Sequence, residues 1–137
     1  MTKILVQWKK IDWPWVGVGF CFYVVFHLLP TYFLAGIGGG MKGGFATFGI
    51  WMFLGLAVIG LYIGYRSRGV TIIEPGLAAL LYVFVFFLSS QRFWGDTFSL
   101  SALSGALAWM GAAFMIAVGS AFVGELLQAR KEQAGKK

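Results

Sequence analysis

Four long apolar runs, none containing a lysine or an arginine, constrain this chain more than any other feature. They cover residues 15–36, 45–65, 71–90 and 98–126. A helix needs about 20 consecutive apolar residues to cross a hydrocarbon layer ~30 Å thick, and each run is of that order. Within lipid every backbone polar group must be satisfied internally, which leaves only helices and closed barrels. Barrel strands are short and alternate in character; these runs do neither. The sequence therefore predicts an all-α integral membrane protein with four transmembrane helices. It reads as a single membrane domain over residues 1–137, with an N-terminal segment 1–14 and a C-terminal tail 127–137 outside the bilayer. The connections at 37–44, 66–70 and 91–97 are short, which favours an antiparallel bundle.

Charge is consistent with this reading. Charged residues make up 12% of the chain, against about 25% in soluble domains, so most of the surface must face something other than water. A net charge of +6 would suit nucleic acid, but the basic residues sit between the apolar runs, where membrane topology explains them. Nine of the eleven lysines and arginines fall on one side of a four-span chain: Lys3, Lys9, Lys10, Arg66, Arg68, Arg130, Lys131, Lys136 and Lys137. Only Lys42 and Arg92 fall on the other. Lys9, Lys10, Arg66, Arg68, Arg130 and Lys131, which flank the spans, set the topology. Both termini are expected in the cytoplasm, with the bacterial inner membrane as the location. The expected partners are the lipid bilayer and other membrane chains, not nucleic acid. The first run is longer than the 7–15 residues of a typical signal-peptide core and is rich in Phe and Trp, so it is expected to remain as a span.

Helices associate in lipid through close packing of small residues, because lipid tails are as apolar as leucine. Residues four apart share a helix face. Ser104, Ala108 and Ala112 form one such stripe on the fourth span, and Ala113, Ala117 and Ala121 form another. Gly60 and Gly64 form a third on the second span. The second and fourth spans are thus the expected tight pair. The Phe-rich third span ("LLYVFVFFL") is expected to face lipid.

Chemistry-bearing residues are few. His27 is the single histidine and precedes Pro30 by three residues. Proline offers no N–H and crowds the carbonyl four residues back, here that of Phe26. An intramembrane imidazole can relay a proton or ligate a metal, or it can simply be bonded to a neighbouring helix or to a freed carbonyl. No second ligand accompanies it, so no cofactor and no metal are expected. Cys21 is the only cysteine, which excludes an internal disulfide and C-x-x-C chemistry. The glycine-rich stretch 36–44 lacks the G-x-x-x-x-G-K-[ST] order of a phosphate loop and reads as a connector. His27, Thr31, Glu74, Ser101 and Ser104 are the residues from which a polar intramembrane site would be built. No catalytic set is present.

Glu74 has two local readings. Either Thr71 caps the third helix and Glu74 closes a capping box, or Glu74 caps a helix in which Pro75 takes the first position. The first gives the longer span and is preferred on that ground. Thr71, Glu74 and Pro75 together form the helix-start signal, with the carboxylate at the positive end of the helix dipole. The leading functional expectation is a non-enzymatic subunit or scaffold of a membrane complex. A small homo-oligomeric channel or transporter, and a membrane enzyme or cofactor carrier using His27, are the alternatives.

Overall fold

A computed structural model describes residues 11–36, 44–67, 72–94 and 100–135; side chains are described for 11–29, 50–67, 72–89 and 103–135. Among the described residues the chain is all-helical, with four helices and no strand. They are α1 (Trp13–Gly36), α2 (Gly44–Arg66), α3 (Glu74–Trp94) and α4 (Leu100–Ala134). The termini of the helices lie within a few residues of the apolar runs, except that α4 continues through the charged tail. Among the residues whose side chains are described, one helix, α4, is long and apolar enough to cross a membrane. The apolar portions found in the other three are shorter, at Trp13–Leu29, Ile50–Arg66 and Glu74–Ser89.

The first and third helices begin in the same way. Asp12 precedes α1, and its carbonyl accepts from the N–H groups of Trp15 (3.0 Å) and Val16 (3.3 Å). Ile73 precedes α3, and its carbonyl accepts from the N–H of Leu77 at 2.9 Å. Each helix then has proline as its second residue, Pro14 and Pro75, where a missing N–H removes no helical bond. This corrects the preferred reading of the third helix. It opens at Glu74 rather than Thr71, with Ile72 and Ile73 non-helical; a helix capped by Thr71 would need an N–H at position 75 to close its first turn, and proline has none. Thr71 itself lies outside the described residues.

Side-chain pairs fix the helix directions. Gly19 lies against Ile63, Phe22 against Tyr62 and Phe26 against Trp51, so α1 and α2 are antiparallel. Gly60 meets Ala117, Gly64 meets Ala121, and Phe53 stacks on Trp109, so α2 and α4 are parallel. The starts of α1 and α3 lie side by side, and these helices are parallel too. Around the bundle the order is α1, α2, α4, α3; among the described residues α1 and α4 do not meet, and α2 touches α3 only lightly. The most extensive contact is between the parallel helices α2 and α4. The centre is filled by Tyr23, Leu56 and Ile63. The Phe-rich stretch of α3 is largely on the outside, although Tyr82 and Val83 within it are buried. The first turns of α3 are buried, with Gly76 against Phe114 and Val118 of α4, while Phe84, Val85, Phe86 and Leu88 are exposed.

Candidate functional site

The start of α3 carries the most unusual group in the core, a carboxylate. Glu74 is only 3% exposed. One of its oxygens accepts the backbone N–H of Asp12 at 3.1 Å. That N–H caps α1 and has no partner within its own helix. The side chain on the first turn of α3 thus satisfies the first turn of α1, and the positive ends of two parallel helix dipoles converge on one negative charge. Neither local reading foresaw this, since the donor lies 62 residues away.

About three turns along α1 from Asp12, Tyr23 is completely buried. Its hydroxyl donates to the Pro75 carbonyl at 3.4 Å, long for an O–H···O bond. Its own carbonyl is 2.7 Å from Nδ1 of His27. A carbonyl can only accept, so Nδ1 carries the proton. The imidazole stacks on Tyr82 of α3 with centroids 4.6 Å apart and a 20° tilt. Tyr82 in turn lies 6.1 Å from Tyr23 and 6.2 Å from Phe86. The α1–α3 seam is therefore a column of polar aromatics running from Glu74 past Tyr23 to His27. The bonds from Asp12 to Glu74, from Tyr23 to Pro75 and from His27 to Tyr23 each use a backbone group.

The carbonyl of Phe26, which faces the missing N–H of Pro30, accepts the indole N–H of Trp51 from α2 at 3.3 Å. The Trp51 ring stacks on the Phe26 ring at 4.9 Å and 13°. The proline thus exposes an acceptor and α2 supplies the donor. His27 uses the Tyr23 carbonyl instead, one turn back on its own helix.

Small residues govern the α2–α4 seam. A Cβ at Gly60 would meet the Ser120 hydroxyl and the Ala117 carbonyl oxygen, the latter at 2.7 Å. One at Gly64 would meet the Ala121 carbonyl, and one at Gly124 the Leu61 carbonyl and, at 2.8 Å, the Tyr65 nitrogen. Ala113, Ala117 and Ala121 are fully buried here. The other stripe of α4 points away: Ser104, Ala108 and Ala112 are exposed, and nothing lies within 4 Å of a Cβ built at Gly111 or Gly119.

The structure thus gathers Glu74 and His27 onto one seam through Tyr23 and places Ser104 elsewhere, on the outer face of α4. Thr31 and Ser101 lie in α1 and α4, outside the residues whose side chains are described. Lys9, Lys10 and Arg68 lie outside the described residues. Arg66 ends α2 and is exposed. Lys131, on α4 beside it, donates to the Tyr65 hydroxyl at 3.2 Å. The ammonium is 5.9 Å from the ring centroid, about the reach of ring, hydroxyl and hydrogen bond in line, so it sits off the hydroxyl rather than over the ring face. Arg130 is exposed one residue earlier. Among the described residues no three His, Cys, Asp or Glu side chains converge as a metal site. Tyr23 and Tyr82 are the participants that sequence reasoning missed. Their spacing from His27 and Glu74, four and eight residues along the same helices, was the available signal.

The class defined so far is an all-α four-helix protein with an apolar exterior and a backbone-bonded polar seam. No protein-family model, curated protein or solved structure matches the chain.

Proposed function

We propose that this is a small, non-enzymatic, multi-pass membrane protein that acts as a subunit or scaffold of a membrane complex. The four helices contain 24, 23, 21 and 35 residues, each at least ~30 Å long at 1.5 Å per residue. Only 22% of the apolar window of α4 is buried, unlike the central helix of a water-soluble core. Large apolar side chains line the outside, with Ile50 at 70%, Met115 at 69% and Leu107 at 60% exposure. The starts of α1 and α3 share one end of the bundle with Arg66, Arg130 and Lys131, which supports placing that end, and both termini, at the cytoplasmic face of a bacterial inner membrane.

The observation that carries the subunit reading is the pair of stripes on α4. One, Ala113–Ala117–Ala121, is consumed by α2. The other, Ser104–Ala108–Ala112 with Gly111 and Gly119, faces outward and offers a second membrane helix the same close approach. A channel would have to place its pore between copies, because Tyr23, Leu56 and Ile63 fill the centre of one copy. The test is capture from mild detergent followed by mass spectrometry. Wild-type protein is expected to bring down a distinct membrane chain, and Ala108→Leu with Ala112→Leu to lose it while remaining folded. Recovery of this chain alone as a monomer would contradict the proposal; a stable homo-oligomer would favour the channel.

A further inference from the structure

A groove of about 300 Å³ lies between α1 and α2 at the end of the bundle where α1 begins and α2 ends. Pro14, Trp15, Val18 and Phe22 line it from α1, and Tyr62 and Arg66 from α2. Phe22 and Tyr62 meet edge to face at 5.9 Å and 74° and join the helices at its inner end. Arg66, at its outer end, is exposed and forms no ion pair with a carboxylate among the described residues. The groove is therefore graded from a cation through two amphipathic rings to apolar side chains. A second groove of about 270 Å³, between α1 and α3, is lined by Trp13, Leu77, Leu81 and Phe84 among others and has no charged residue on it.

We propose that the α1–α2 groove binds one anionic phospholipid, its phosphate on the Arg66 guanidinium and one acyl chain along Val18 and Phe22. The proposal rests on the membrane reading above. A guanidinium presents paired donors that match phosphate oxygens, and Trp and Tyr rings sit at headgroup level. Basic pockets between helices on the cytoplasmic side suit anionic headgroups. Lipid tails are as apolar as the groove wall, so seating the chain gives shape and little net energy. The phosphate contact must supply the preference for anionic lipid.

The test uses the full chain in mild detergent with equal amounts of phosphatidylglycerol and phosphatidylcholine, read by native mass spectrometry. Wild-type protein is expected to retain one phosphatidylglycerol preferentially, and millimolar inorganic phosphate not to displace it. Arg66→Gln should lower the preference roughly fivefold. Val18→Trp, on an exposed position, should fill the groove and reduce retention with Arg66 in place. Arg130→Gln, at the same end but outside the groove, should leave the preference unchanged. No preference in the wild type, or equal losses in Arg66→Gln and Arg130→Gln, would overturn the site and leave the membrane reading standing. Recovery of the protein in the soluble fraction after alkaline extraction, measured before lipid is added, would overturn the membrane reading and the site with it.

Discussion

Asp12 and Glu74, 62 residues apart in the chain, are joined by a hydrogen bond of 3.1 Å from the Asp12 N–H to a Glu74 carboxylate oxygen. One buried side chain thereby registers the starts of two parallel helices. Without it the Asp12 N–H loses its acceptor and two dipole ends lose their counter-charge.

Glu74→Ala should therefore lower stability by about 1–3 kcal/mol, read as a lower midpoint in thermal unfolding in mild detergent. Glu74→Gln keeps an acceptor oxygen and should lose less. Equal losses in both variants would show that burial volume, and not the bond, matters at this position.

The α2–α4 seam predicts a sharp positional contrast among glycines. Gly64→Leu forces a side chain into the Ala121 backbone and should cost at least about 1–3 kcal/mol as overpacking. Gly119→Ala points into open space and should change stability by less than about 1 kcal/mol. The same melting experiment separates them, and similar effects at both positions would contradict the described packing.

Trp51 and Pro30 should be energetically coupled through the Phe26 carbonyl. Trp51→Phe keeps an aromatic ring against Phe26 and removes the donor, at a cost of about 0.5–1.5 kcal/mol. Pro30→Ala restores a helical N–H to that carbonyl, so Trp51→Phe should cost less in the Pro30→Ala background. A double-mutant cycle measures this coupling; strict additivity would rule it out.

His27→Phe keeps a ring against Tyr82 and removes the Nδ1 donor to Tyr23. It should cost about 0.5–1.5 kcal/mol and leave the captured partners unchanged. Loss of partners in a still-folded variant would return His27 to the centre of the function.

The four helices were legible because each apolar run is long enough to declare itself without reference to the others. Residue type also exposed the Phe26 acceptor, since Pro30 has no N–H to give it. The donor was hidden, because Trp51 lies on another helix and no local rule names it. The role of Glu74 was hidden for the same reason. Sequence spacing linked it to Thr71 and Pro75, three residues back and one ahead, whereas the bond goes to Asp12. The faces of α4 show a further limit: four-residue spacing identifies two small-residue stripes but cannot say which one the chain itself will cover. The structure covers Ala113, Ala117 and Ala121 and leaves Ser104, Ala108 and Ala112 outside.

The central claim, a four-span membrane bundle with both ends on one side, is tested most directly by labelling single cysteines in intact cells with a membrane-impermeant maleimide. In a Cys21→Ser background, Lys10→Cys, Arg68→Cys and Arg130→Cys should stay unlabelled until the membrane is permeabilised, while Lys42→Cys and Arg92→Cys should label at once. Labelling of Lys42→Cys and Arg130→Cys to the same extent in intact cells would contradict it.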